Sequence, residues 1–93
     1  MIKSFADKET ILIWKGEFSR KMPADIQKII LRKLIMIQAA ANLRDLQIPP
    51  SNKLEKLQGD RIGYYSIRVN NRWRICFIWK DGNAFEIQTI DYH

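Results

Sequence analysis

The chain has 93 residues, with 16 Lys and Arg against 10 Asp and Glu for a formal charge of +6, a length that predicts a single domain over residues 1–93. Its 46% hydrophobic and 28% charged residues are a globular rather than a disordered composition, while one Cys and one His rule out a disulfide framework or Cys/His zinc site and leave a triad-type hydrolase little to work with. With no basic-then-apolar leader and no apolar run near the ~18 residues of a membrane span, the composition predicts a reduced, cytoplasmic, basic domain with no membrane partner and a polyanion to bind.

Ile2, Lys3, Ser4 and Phe5 alternate apolar and polar, which suits a short strand. Asp7 can cap a helix with Thr10 to Lys15 in its body and Gly16 just past its end. Pro23 can open a second, longer helix, because its missing N–H is no loss at the first helical position. Ile26, Ile30, Leu34, Ile37 and Ala41 follow the three-and-four spacing of one buried face. Leu31 and Ile35 lie almost opposite, where they either pack on the first helix or form a docking face for a partner. Pro49 and Pro50 end everything helical, and residues 47–53 read as a loop.

From Tyr64 the period changes to two. Tyr65, Ile67 and Val69 alternate with Ser66 and Arg68; Trp73, Ile75, Phe77 and Trp79 with Arg74, Cys76 and Ile78; Phe85 and Ile87 with Glu86 and Gln88. Asn70-Asn71 and Asp81-Gly82 are hairpin signals, so this is an antiparallel meander. A three-residue loop, Asn70-Asn71-Arg72, opposes Ile67 to Ile75 and Arg68 to Arg74, keeping each sheet face chemically consistent. The same logic at Asp81-Gly82-Asn83 aligns Phe85 with Trp79 and Ile87 with Phe77. One sheet face is then apolar and covered by the helices.

The other face carries the chemistry. Arg68 directly across from Arg74 is unfavourable unless each finds Glu86 or Asp91, spreads into solvent, or shares a bound anion. An anion site would suit phosphate, which guanidiniums grip in bidentate fashion. Residues 52–74 hold Lys53, Lys56, Arg61, Arg68, Arg72 and Arg74 against only Glu55 and Asp60, so this segment carries +4 of the total +6. Tyr64, Tyr65 and Trp73 are interleaved and could stack on bases, although the register assigns Tyr65 and Trp73 to the core. The chain ends on Asp91-Tyr92-His93, where strict alternation places Tyr92 on the arginine face and its two neighbours on the other.

The sequence resembles the HigB-type toxins of the RelE superfamily. The likeness begins at Met1-Ile2-Lys3-Ser4-Phe5 and includes the helical Leu43-Arg44-Asp45-Leu46, Pro49-Pro50 and Lys53-Leu54-Glu55. It is most specific at Gly59-Asp60-Arg61-Ile62-Gly63, Ser66-Ile67-Arg68-Val69-Asn70, Trp73-Arg74-Ile75-Cys76-Phe77 and the closing Asp91-Tyr92-His93. The resemblance implies an α+β fold, with two N-terminal helices packed on one face of a small, mainly antiparallel, four- to five-stranded sheet. It implies a ribosome-dependent endoribonuclease cutting mRNA in the A site without metal or other cofactor, and a helix-turn-helix antitoxin through which alone operator DNA is contacted.

That chemistry is attack of a ribose 2′-hydroxyl on the adjacent phosphate, which needs a base, an acid and cations on the phosphate. By the resemblance, Asp91, Tyr92 and His93 match the family's terminal catalytic positions, Arg74 its phosphate-binding arginine, and Arg68 a second. His93 is the best acid or base, because an unperturbed imidazole titrates near neutrality. Glu55 stands where some members have a second His, and Gln58 stands at a family Lys position. Lys53, Lys56, Arg61, Arg72 and Tyr64 are the expected RNA contacts. A basic RNA- or ribosome-binding module without catalysis is the alternative from another class. A DNA-binding regulator ranks last, since no helix has a clean basic face for the major groove.

Overall fold

The computed structural model describes residues 1–92. Two helices, α1 (Lys8–Trp14) and α2 (Ala24–Ala39), precede strands β1 (Glu55–Lys56), β2 (Tyr64–Arg68), β3 (Trp73–Lys80) and β4 (Asn83–Asp91). The strands form one antiparallel sheet in sequence order.

The helix ends follow local chemistry. Asp7 caps α1 by accepting from the Thr10 N–H at 2.6 Å and from the Thr10 hydroxyl at 2.9 Å. Its second carboxylate oxygen also accepts from the Thr89 N–H, so the cap fastens α1 to β4. Gly16, at φ +82°, makes the left-handed turn that closes this helix. Pro23 sits one place earlier than the sequence suggests, as the cap rather than the first residue of α2. Ile26, Ile30, Leu34 and Ile37 are buried as the spacing requires, but Ala41 is exposed and Ala40 takes its place, because α2 stops at Ala39. Leu31 packs against the core, whereas Ile35 stays 53% exposed. Short 3-10 turns, Leu43–Gln47 and Pro50–Asn52, replace the continuous loop expected over 47–53.

The N-terminal segment lies parallel to β4, but touches it as two isolated bridges, Ile2 to Ala84 and Phe5 to Ile87, rather than as a continuous fifth strand. The helices cover the face that presents Ile67, Ile75, Phe77, Ala84 and Ile87. Tyr65 and Trp73 pack on that core, Tyr65 stacking on Phe77 at 6.4 Å.

The β2–β3 register is the expected one, with Ile67 opposite Ile75 and Arg68 opposite Arg74. Asn70 builds the loop, its side-chain oxygen accepting from the N–H groups of Arg72 and Trp73. The β3–β4 register departs from expectation at the turn. Asp81 (φ +53°) and Gly82 (φ +76°) form a two-residue turn, so Trp79 opposes Ala84, and Phe85 opposes Ile78. The register then shifts between Cys76 and Ile78, where Glu86 adopts φ +53°. This bulge returns Ile87 to the core face, and Cys76 pairs with Gln88 beyond it.

Candidate active site on the sheet face away from the helices

Alternation along β2 and β3 puts Tyr64, Ser66, Arg68, Arg74 and Cys76 on the face that the helices leave uncovered. The opposed Arg68 and Arg74 solve their repulsion by diverging. Arg68 Nη2 donates to the side-chain oxygen of Asn71, in the hairpin loop. Arg74 turns the other way, toward β1. Its Nε donates to Ser66 Oγ at 2.8 Å, and its Nη2 donates to the Lys53 carbonyl at 2.6 Å and the Ser66 carbonyl at 3.3 Å. With its side chain 11% exposed, Arg74 is held in one pose by neutral acceptors, so its charge is met only by a long ion pair. Among the described residues its carboxylate partner is Glu55, at 3.9 Å from Nη1. Glu86 and Asp91, the acids expected from the sequence, pair with neither opposed arginine in the described geometry; Glu86 is in the bulge and Asp91 engages Arg72.

Backbone geometry explains how Lys53 and Glu55 reach the site. Lys53 has φ +45° after the Pro50–Asn52 turn, which aims its carbonyl at Arg74, while its own side chain is exposed. Behind it, buried Asn52 accepts a hydrogen bond from Lys33 Nζ and donates to the Leu46 carbonyl, tying this turn to α2. Burial, with Arg32 and Arg68 nearby, holds the Lys33 amine below its ordinary range. Glu55 then enters β1 directly opposite Ser66. Lys56 is exposed beside it, across from Tyr65.

Tyr92 completes the cluster. As alternation requires, it returns to the arginine face, its hydroxyl 3.7 Å from Cys76 Sγ. Burial pushes the Cys76 thiol up, and burial together with the Cys76 contact raises the Tyr92 hydroxyl, while Arg61 and Arg74 pull both back. At neutral pH Tyr92 therefore keeps its proton and can donate it in a hydrogen bond. Asp91 leaves in the other direction, pairing with Arg72 at 2.7 Å. His93 lies outside the described residues.

The structure thus brings together Arg74, Glu55, Tyr92, Arg61 and the carbonyl of Lys53. Arg72 with Asp91 forms a separate surface pair, and Lys56 and Arg68 point their charges elsewhere. The sequence pattern puts Ser66 and Cys76 on the arginine face but assigns them no part in the site. Their signal was available in the alternation, which places a small hydroxyl and a thiol between arginines. Among the described residues no three His, Cys, Asp or Glu side chains converge as a metal site would require.

Such a fold, with two helices on one face of a four-stranded antiparallel sheet, is that of the small RelE-like toxins. Over residues 3–93 the chain matches the family described as the RelE-like toxin of type II toxin–antitoxin system HigB. The chain belongs to this HigB-like toxin family. It is 37% identical to the Endoribonuclease HigB of Proteus vulgaris over 93 residues, covering 100% of both chains. It is 45% identical over 65 residues to Toxin HigB-1 of Vibrio cholerae, covering 70% of this chain and 68% of that one. Among solved structures, the YoeB–YefM toxin–antitoxin complex of Staphylococcus aureus superposes with a TM-score of 0.63 at 22% identity, over 100% of this chain and 98% of that one. A point mutant of YafQ from E. coli gives a TM-score of 0.61 at 17% identity, over 98% of this chain and 91% of that one. These two likenesses establish the fold.

Proposed function

We propose that this HigB-like toxin, an endoribonuclease like its full-length Proteus relative, cuts translated mRNA on the ribosome and is neutralised by a cognate antitoxin. The observation that carries the reading is Arg74: a nearly buried guanidinium, oriented by Ser66 and the Lys53 carbonyl, whose charge is opposed only at 3.9 Å by exposed Glu55 and can meet an anion. The anion is the scissile phosphate. The 2′-oxygen of the preceding ribose attacks phosphorus as the bond to the 5′-oxygen breaks, leaving a 2′,3′-cyclic phosphate and a 5′-hydroxyl. Glu55, beside Arg74 Nη1, takes the proton from the 2′-hydroxyl, and His93 returns one to the departing 5′-oxygen. Arg74 meets the growing charge on the phosphate, and protonated Tyr92 orients or stacks on the substrate. RNA brings its own nucleophile, so no serine or cysteine has to serve.

Exposed Lys56 and Arg72 with half-buried Arg68 and Tyr64 would contact the flanking strand. The antitoxin is read as a helix-turn-helix protein, operator DNA being bound only through it, and the site of action as the cytoplasm, where the ribosomes are. No cofactor enters the scheme.

Mapping mRNA 5′ ends after brief induction tests this function. New ends clustered inside codons, absent with Arg74→Ala and His93→Ala variants that still fold, are expected. Arrested translation with intact transcripts would instead identify a binding module without catalysis.

A further inference from the structure

Arg61 ends the short Gly59–Arg61 turn between β1 and β2, and the scheme above leaves its guanidinium without a task. Its Nη1 is buried with no hydrogen-bond partner, the one such side-chain atom among the described residues. Shutting part of a cation away from water without an acceptor is unfavourable, so the arrangement calls for an acceptor that the described residues do not provide. Neither of the two ion pairs between described residues includes Arg61.

The place where this charge acts is also informative. The Tyr92 hydroxyl and the Cys76 thiol, 3.7 Å apart, both feel Arg61 and Arg74 together. Both positive charges thus act on one hydroxyl–thiol pair on the floor of the candidate site, and Arg61 stands on the turn that leads into β2, the strand that carries Ser66. The only carboxylate at ion-pair distance from either, among the described residues, is half-exposed Glu55 at 3.9 Å. Arg68, which the sequence marks as the second phosphate ligand, is already committed to Asn71.

We propose that Arg61, rather than Arg68, is the second phosphate ligand of the cleavage site, its Nη1 donating to a non-bridging oxygen of the scissile phosphodiester while Arg74 binds the same group. The inference rests on the endoribonuclease reading and assigns its transition-state charge to two guanidiniums instead of one. The ligand class is a phosphodiester of single-stranded RNA; inorganic phosphate should occupy the same place weakly. No covalent step is added, since Arg61 only donates hydrogen bonds.

The experiment compares Arg61→Met and Arg61→Lys with the wild-type chain in three measurements. Thermal unfolding of the free protein comes first. Removing an orphan charge while keeping the apolar stem should raise the melting temperature of Arg61→Met, whereas an arginine of purely structural use would lower it. Next, millimolar inorganic phosphate should raise the melting temperature of the wild type and leave that of Arg61→Met unmoved. Last, single-turnover cleavage on programmed ribosomes should fall about 10²-fold in Arg61→Met, with partial rescue by Lys. A phosphorothioate at one non-bridging oxygen should slow the wild type and leave the Arg61→Met rate unaffected. Wild-type cleavage by Arg61→Met, or a slowed variant that keeps the full sulfur effect, would overturn the proposal. If the wild type cut no RNA, the endoribonuclease reading would fail separately. The phosphate measurement would then decide the site, a shift lost in Arg61→Met supporting it and an equal shift refuting it.

Discussion

Arg72 grips Asp91 with two nitrogens, Nε at 2.7 Å and Nη2 at 2.9 Å, across the end of the β3–β4 ladder. The Arg72 carbonyl also accepts from the Tyr92 N–H. One residue of the first hairpin loop thus holds, by side chain and main chain together, the segment from which Tyr92 turns back to the arginine face. The carboxylate in turn raises the Arg72 guanidinium above its already high ordinary range. The pair is solvent-exposed, so its worth lies in placement more than in stability.

If placement is its role, Arg72→Ala and Asp91→Ala should slow cleavage by similar amounts, roughly tenfold, for a catalytic segment shifted by a fraction of an ångström. The double variant should be no slower than either single one, because both remove the same restraint. Single-turnover rates on ribosomes, with melting temperatures alongside, check this. Fully additive losses would show that Arg72 and Asp91 act separately.

Ser66 is the second testable support. It is buried, and its hydroxyl accepts from Arg74 Nε at 2.8 Å. Ser66→Ala should cost about 1.5 kcal/mol in urea unfolding, the usual loss for a bond to a charged group, and leave Arg74 looser. Cleavage should fall about tenfold, against the roughly 10²–10³-fold loss on removing such a donor outright with Arg74→Ala. Arg74→Lys should resemble Arg74→Ala, because an ammonium cannot serve the Ser66 and Lys53 acceptors in the same fork.

How far the sequence foretells this site depends on which force decides each part. Side-chain parity settles the β2–β3 pairing, since slipping Ile67 off Ile75 would push every apolar residue to the wrong face. Asp7 and Gly16 announce their own caps because the chemistry of capping is local. The β3–β4 register obeys a different term: Asp81-Gly82 prefers a two-residue turn, and the displaced residue is absorbed at Glu86, whose side chain gives no sign of a left-handed backbone. Burial of Lys33 against Asn52, and of Arg61 Nη1, depends on tertiary neighbours that no periodicity encodes. The basic segment was therefore visible as charge, but its division into working and surface cations was not.

Glu86 offers a clean test of that bulge. A non-glycine residue at φ +53° carries left-handed strain of about 1 kcal/mol, partly offset by the lower entropy of its unfolded state. Glu86→Gly should stabilise the chain by about 0.5 kcal/mol, and β-branched Glu86→Val should destabilise it by more than about 1 kcal/mol. The Glu86 N–H bond to Ser4 Oγ, at 2.8 Å, is a backbone donation and survives both changes. Chemical denaturation of the three proteins measures the order; equal stabilities would mean that the bulge carries no strain.

Glu55 occupies the position nearest the free edge of Arg74, and the proposed mechanism makes it the base. Glu55→Ala should then lower cleavage about 10²-fold without altering the melting temperature appreciably, because the side chain is 59% exposed. Glu55→His should restore much of the rate, since an imidazole at that place can accept the same proton. An alanine variant as fast as the wild type would remove Glu55 from the chemistry and leave the base to be sought elsewhere.

The buried Cys76 thiol and the Tyr92 hydroxyl give the free protein a pH signature. Burial raises both above their ordinary values of 9.0 and 10.0, so the folded chain resists losing these protons while the unfolded chain does not. Their contribution to stability is complete below about pH 9 and is lost as the pH climbs through the folded values. Lys33 works the other way, because its lowered amine makes the fold gain stability as pH rises toward 10.5. Comparing wild type with Cys76→Ala cancels Lys33, and the melting-temperature gap between them should narrow steadily above about pH 9. Parallel melting curves from about pH 7 to 11 would show that the thiol titrates as freely in the fold as out of it.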